Sequence, residues 1–188
     1  MEKRNQISKG KCLKVVLFGP ESTGKSTLAR KLAKHYNTNW VPEFARGYLQ
    51  NKWDNYKQVC SIEDLQIIVD AQKSLEEKLI KDSNKLIFCD TNAIVTQIWS
   101  ETHFDGFCPL KIKKAALESD HDFYLLTDID IPWVIDDLRD RPYDRKKMIE
   151  IFKNKLDQYE LKYKLISGNI NNRMLTATKV IDNLNFND

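Results

Sequence analysis

Short apolar runs that alternate with amphipathic stretches along 188 residues predict an α/β fold: a parallel sheet of about five strands with helices on both faces. Three observations carry that expectation. Leu13–Phe18 (LKVVLF) is mostly apolar, as a strand covered on both faces must be. It runs directly into Gly19-Pro20-Glu21-Ser22-Thr23-Gly24-Lys25-Ser26-Thr27, which fits G-x-x-x-x-G-K-[ST], the phosphate-binding loop or P-loop. From Ser26 the chain places Leu28, Leu32 and Tyr36 at i, i+4 and i+8, one face of a helix.

The remaining elements follow from pattern and punctuation. The first helix reaches to about Asn37, and Trp40-Val41-Pro42 is a short strand that the proline ends, with Glu43-Phe44-Ala45-Arg46 beginning a helix. Asn51 to Cys60, polar and aromatic with Trp53 and Tyr56, reads as a loop. Ser61-Ile62-Glu63-Asp64 has the Ser-x-x-acid form of a helix start, and Ile62, Leu65, Ile68, Val69, Gln72, Leu75 and Leu79 trace one stripe to about Lys81. Leu86–Asp90 (LIFCD) is a strand closing on an acid, Thr91–Ser100 a helix, 104–109 a loop containing Asp105-Gly106, and 111–117 a short helix. Asp122–Thr127 (DFYLLT) supplies a fourth strand. Residues 129–146, dense in Asp and Arg with Pro132 and Pro142, predict a mobile lid loop. A helix at 147–159, a strand at 162–166, Gly168 as punctuation and a helix at 170–184 complete the chain.

Ligands of open parallel sheets gather at the carboxyl ends of the strands, where Gly19, Glu43, Asp90, Asp128 and Gly168 all fall. In the P-loop, glycines let successive N–H groups converge on a phosphate and the following helix adds its positive end. Lys25 then reaches the β- and γ-phosphates of ATP and the Ser26 hydroxyl ligates Mg²⁺. Asp90 either holds Mg²⁺ through water or takes the proton of a substrate hydroxyl; Glu43 is the other candidate base. Arg139, Arg141 and Arg145 lie in the lid segment, and their planar forks suit the spread charge of a transferring phosphoryl group. A lid closing over the nucleotide excludes water, which otherwise takes the phosphate. Trp40, Trp53, Trp99, Trp133, Tyr48 and Tyr56 are of the type that stacks on a planar ring, although core packing is the commoner role of each taken singly.

Composition bounds the rest. Residues 13–188 are expected to form one domain behind a flexible basic leader, 1–12, that has no apolar segment of a signal peptide. Net charge +3 and pI near 8.5 suit a protein that handles anionic phosphates, with no basic stripe for nucleic acid. No apolar run approaches the ~18–20 residues that cross a bilayer. Cys12, Cys60, Cys89 and Cys108 form no C-x-x-C and no metal-type spacing with the three histidines, so they read as reduced thiols of a cytoplasmic protein. Oligomeric state is left open.

With GPESTGKST, PEFAR, FCDT, DIPW followed by LRDRP, and LISGN read in order from about Leu13 to Asn183, the chain resembles the nicotinamide riboside (ribosylnicotinamide) kinase family, the kinase domain of NadR-type bifunctional proteins. The resemblance implies a P-loop kinase-like sheet and ATP-dependent phosphorylation of the ribose 5′-hydroxyl of nicotinamide riboside. It places Gly168-Asn169 at the adenine and makes Trp40, Glu43, Arg46, Tyr48, Tyr56, Trp99 and Asp105 candidates to touch the acceptor. It also implies a small-molecule substrate and neither nucleic acid nor membrane as partner. The chain is expected to be a stand-alone kinase without the adenylyltransferase or DNA-binding parts. One departure stands out: Asp137 occupies a lid position where the family commonly has glycine. A kinase for another nucleoside or deoxynucleoside, a regulatory NTP-binding module and a nucleic-acid-binding ATPase are the competing readings. The guanine-reading Asn-Lys-x-Asp of a GTPase is missing after the fourth strand, where FYLLTDID stands.

Overall fold

The computed structural model describes residues 12–184, so the expected leader lies outside the described residues except for Cys12. The elements run β1 (Leu13–Phe18), α1 (Lys25–His35), β2 (Trp40–Val41), α2 (Phe44–Tyr56), α3 (Ile62–Leu79), β3 (Leu86–Asp90), α4 (Ala93–His103), α5 (Leu110–Leu117), β4 (Phe123–Thr127), α6 (Arg145–Gln158), β5 (Tyr163–Ile166) and α7 (Ile170–Asp182). All five strands are parallel, in the order β2-β3-β1-β4-β5. The predicted α/β class and strand count therefore hold.

β1 lies at the centre, and its alternation sends side chains into two cores. Val16 and Phe18 pack with Ile87, Cys89, Tyr124 and Leu126 beneath α4 and α6. Val15 and Leu17 pack with Leu86, Phe88, Phe123 and Leu125 against α1 and α7. Val15, Val16, Leu17 and Phe18 are all fully buried, and each such side chain contributes about 1.5–3 kcal/mol of transfer free energy. Phe18 meets Tyr124 and Phe152 edge-on, with ring centroids 5.5 and 5.0 Å away. In register, Leu17 faces Asp90 on one side and Leu125 on the other. The ends of β1, β3 and β4 thus align, which brings Gly19, Asp90 and Asp128 to one edge.

Residues 51–56 correct the loop expected over 51–60, because α2 continues through Trp53 and Tyr56 before its left-handed cap Lys57, and 57–60 are irregular as expected. No residue of α2 is buried, so it has no apolar stripe for a periodicity reading to find. Polar contacts hold it instead. The Phe44 N–H donates to Gln72 of α3 at 2.8 Å, and the Tyr48 hydroxyl donates to Asp64 at 2.7 Å. Asp64 completes a capping box with Ser61. Despite burial, its contacts with Lys52, the Ser61 N–H and Tyr48 hold its pKa down at about 2. Among the described residues, no helix is long and apolar enough to cross a membrane.

Under α3 the fold assembles a cluster that linear spacing did not reveal. The ligand atoms of Glu76, Cys89 and His121 lie within 4.8 Å of one another. The charges there are already matched: Glu76 accepts from Lys14 and from His121, each at 3.0 Å, and Lys14 also meets Asp120 at 2.7 Å. The Cys89 thiol is pushed well up by burial and stays protonated. We read the group as a closed ion network. Burial raises the Glu76 pKa, but His121 and Lys14 outweigh it and bring the carboxyl from 4.5 to about 2. A carboxyl depressed on folding stabilises the fold above its unfolded pKa and loses that contribution as pH falls through the folded value. Urea midpoints of the wild type should therefore drop between pH 4.5 and about 2. Glu76→Gln should be weaker at pH 7 and flatter across that interval.

Candidate active site

The phosphate-binding turn is shaped by what Gly19 lacks. With φ at 140°, a Cβ there would stand 2.7 Å from the Thr127 hydroxyl oxygen and 2.9 Å from the Thr127 carbonyl, so only glycine lets the turn press on the end of β4. The Thr23 hydroxyl lies 2.8 Å from the Pro20 carbonyl and 2.7 Å from the Thr127 hydroxyl, pinning the turn to β4. Gly24, at φ 79°, turns the chain into α1. The N-terminus of α1 thus meets the hollow of the turn, with Lys25 and Ser26 on its first turn. Lys25 Nζ folds back to the Pro20 carbonyl at 2.6 Å.

Asp90 and Glu43 both feel the charge of that lysine. Asp90 is 1% exposed, and neither of its carboxylate oxygens has a hydrogen-bond partner. The Ser26 hydroxyl stands beside it and favours its charged form, short of full hydrogen-bond geometry. Burial nevertheless raises the Asp90 pKa against the pull of Lys25, Ser26 and Arg30. Glu43, the residue before α2, is raised by burial first and then by the Asp90 charge, while Lys25, Arg46 and Arg139 oppose the rise. Like charges at close range do not ionise freely together, so the pair titrates as a unit. Asp90 and the Ser26 hydroxyl are hard oxygen donors of the kind Mg²⁺ takes, and two buried, unpartnered carboxylate oxygens fit such a cation. The next residue, Thr91, has φ 74°, an unusual conformation for a β-branched residue and one that marks stored strain beside the site.

The segment between Thr127 and Arg145 is irregular, as the Asp/Arg/Pro composition predicts. It is tied down at several points. Arg46 forks onto the Asp136 carboxylate, which Arg139 also meets at 3.1 Å. The Val134 N–H donates to the Ser22 hydroxyl at 2.8 Å. Arg141 donates to the Thr102 carbonyl at 2.6 Å and to His103 at 3.1 Å, at the end of α4. In this structure Arg46, Arg139 and Arg141 therefore engage protein groups. Asp137 is exposed and has no left-handed φ, so an aspartate in place of the family's glycine introduces no strain.

Of the aromatic and acidic acceptor candidates, Trp99 reaches a pocket at the P-loop, shared with Glu21, Trp133 and Arg145. It stacks on His103 with centroids 4.1 Å apart. Trp40 packs on the core face of α1, with Arg30 over its ring. Tyr48 stacks on Phe44, Tyr56 is 68% exposed at the end of α2, and Asp105 occupies a left-handed turn beyond α4. None of these four lines that pocket.

Gly168 and Asn169 begin α7, the Asn169 side chain accepting from the N–H groups of Asn171 and Asn172. Sequence reasoning missed the residue that holds them, Arg173. It is 2% exposed and donates to the Gly168 carbonyl at 2.7 Å, the Thr23 carbonyl at 2.6 Å and the Asp128 carbonyl at 3.1 Å, and it pairs with Asp130. A single arginine in a helix otherwise ordinary in pattern carries no signal of burial.

Residues 14–173 match the family model described as an AAA domain. The chain belongs to that family. It is 27% identical over 151 residues to the trifunctional NAD biosynthesis/regulator protein NadR of Escherichia coli K12, covering 79% of this chain and 37% of NadR. This member thus spans little more than a third of that relative. Among solved structures it is similar to NadR in complex with NR, at TM-score 0.76 and 21% identity over 92% of this chain and 51% of that one. A NadR complex with NAD and AMP-PNP superposes at TM-score 0.71 and 20% identity, over 91% and 49% of the two chains. A thymidylate kinase of Ehrlichia chaffeensis aligns at TM-score 0.63 and 14% identity, over 92% and 100%. The fold of this AAA-domain member is that of the P-loop kinases.

Arg173→Ala leaves the buried Thr23 carbonyl and the part-buried Gly168 and Asp128 carbonyls without that donor, and removes the charge partner of Asp130. It should cost about 3 kcal/mol, read as a lower urea midpoint. It should also weaken nucleotide binding, measured by titration calorimetry, because the P-loop and the Gly168 turn lose their common brace.

Proposed function

We propose that this chain transfers the γ-phosphoryl group of ATP to the ribose 5′-hydroxyl of nicotinamide riboside, giving nicotinamide mononucleotide. The observation that carries the reading is the Asp90 carboxylate, 1% exposed with both oxygens unpartnered, at the end of β3 beside the P-loop residues Lys25 and Ser26. The likeness to NadR structures with NR and with AMP-PNP supports it. Residues 13–188 would form one kinase domain, working in the cytoplasm where ATP is supplied.

The turn's N–H groups, the α1 terminus and Lys25 hold the β- and γ-phosphates. Ser26 and Asp90 would hold Mg²⁺, which when bound neutralises charge developing on the phosphate oxygens. The charge environment divides the two acids. Burial raises both; Lys25, Ser26 and Arg30 favour the charged form of Asp90, which suits the metal side, and the Asp90 charge adds to the burial that raises Glu43, which suits a base. Glu43 takes the proton as the 5′-oxygen bonds to the γ-phosphorus and the bond to the β–γ bridging oxygen breaks, releasing ADP. Arg139 and Arg141 would leave their present partners to meet the phosphoryl charge when ATP and acceptor are bound.

A base acts only when deprotonated, so turnover should rise with pH as the raised Glu43 group loses its proton. Glu43→Gln should lower kcat by about 10²–10⁴-fold and abolish that acid limb. Asp90→Asn should instead raise the Mg²⁺ concentration needed for half-maximal rate. If Asp90→Asn removes the acid limb and Glu43→Gln shifts the Mg²⁺ requirement, the assignment is reversed.

The deciding experiment is a coupled ATP-to-ADP assay with Mg²⁺ across nicotinamide riboside and ordinary nucleosides and nucleotides. Turnover confined to nicotinamide riboside, lost in a folded Lys25→Ala protein, is expected. The thymidylate kinase likeness favours a second reading, a kinase for another nucleoside or nucleotide, and turnover of one of those alone would establish it. Silence with every acceptor would point to a regulatory NTP-binding module.

A further inference from the structure

Transfer as described leaves two polar atoms at the site without a task. Oε2 of Glu21 and Nε of Arg145 are both sealed from solvent, and neither has a hydrogen-bond partner. Both residues line one pocket, together with Trp99, Trp133, Arg141 and Phe152. A buried group left unpaired costs about 1–3 kcal/mol, more when charged. One of these atoms is an acceptor and the other a donor.

The donor is held in place. Arg145 gives one terminal nitrogen to the Ile131 carbonyl at 2.9 Å and the other to the Ser22 carbonyl at 3.3 Å, so Nε–H is the part left over. Its guanidinium carbon stands 5.8 Å from the centroid of the Trp133 ring. Around Glu21 stand Asp140 of the lid, Glu43, Lys25 and Arg139. Burial, chiefly, raises its carboxyl to about 7. Near neutral pH it is divided between an acceptor-only carboxylate and an acid that can donate.

A primary carboxamide answers both atoms at once, its N–H donating to Glu21 and its carbonyl accepting from Arg145. The corresponding carboxylate offers only acceptors and sets a second negative charge against Glu21. Indole faces at Trp99 and Trp133 suit the aromatic ring that would carry the amide. The free space is about 10 Å³, roughly one water, so the ring is admitted only as Trp133 shifts with the lid segment and packs against it. We propose that Glu21 and Arg145 form a two-point reader for the carboxamide of an aromatic riboside seated against Trp99 and Trp133, selecting the amide over the matching carboxylate. The proposal rests on the acceptor-kinase reading above and deepens it.

The test compares nicotinamide riboside with the same riboside carrying a carboxylate, between pH 6 and 8.5, in wild type and in Glu21→Gln. Each is followed by kcat/KM and, without need of turnover, by quenching of tryptophan fluorescence. Wild type should favour the amide, and the preference should grow as pH rises through about 7, where Glu21 loses its proton. Glutamine presents a donor as well as an acceptor. Glu21→Gln should therefore reduce the amide preference by about 10- to 100-fold and make it independent of pH. Arg145→Lys, which removes the forked donor, should weaken amide binding with less effect on the carboxylate. An amide preference that Glu21→Gln leaves intact, or a wild-type preference flat across pH 7, overturns the reader while the kinase assignment stands. Turnover of other nucleosides without binding of either riboside overturns both. If Glu21→Gln fails to fold, Arg145→Lys decides: equal loss of amide and carboxylate binding overturns the reader.

Discussion

One buried guanidinium, that of Arg173, fastens the working edge of this protein. A parallel sheet brings its strand ends to one side but leaves the loops beyond them separate, each with carbonyls that require donors. Arg173 supplies those donors to the P-loop at Thr23, to the segment after β4 at Asp128, and to the turn after β5 at Gly168. Asp130 matches its charge, so a cation that would be expensive to bury alone becomes a rigid joint. The glycine at position 19 serves the same end by steric means, since its missing Cβ is what lets the turn lie on Thr127.

On that frame the site gathers three acids in the field of Lys25, Arg30, Arg46 and Arg139. Glu21, Glu43 and Asp90 all feel Lys25, and burial raises the pKa of each. Such a cluster is costly to bury, and the ligands of the proposed kinase would supply the groups it lacks. The strained Thr91 beside Asp90 and the unpartnered oxygens of Asp90 belong to the same pattern, in which local stability is given up for chemistry. The stabilising counterpart lies elsewhere, in the two cores about β1 and in the matched Lys14–Glu76–His121 network.

The lid segment shows why contact chemistry is harder to read than fold. Its Asp/Arg/Pro composition announces an irregular, charged loop, and the loop is there. Which arginine meets which acid is decided by how the segment lies across α2, α4 and the P-loop. Arg46, a candidate for substrate, forks onto Asp136, ninety residues away in the chain. Trp99 comes to the P-loop pocket because α4 follows Asp90 directly, whereas Trp40, which precedes Pro42 on β2, faces α1.

Sequence alone determined what repeats locally. The P-loop, the buried strands, the order of strands and helices, and the acids at strand ends follow from spacing, side-chain alternation and the backbone freedom of glycine, all short-range properties. Where amphipathic pattern was missing, as in α2, the same reasoning failed, because a helix held by Gln72 and Asp64 carries no stripe of its own. Tertiary structure alone decided the long-range pairings: Arg173 with three loops, Glu76 with Cys89 and His121, and Glu21 with Arg145 at one pocket. These depend on which strand lies beside which and how far each loop reaches, and a polar residue's type does not reveal the partner that burial will oblige it to find.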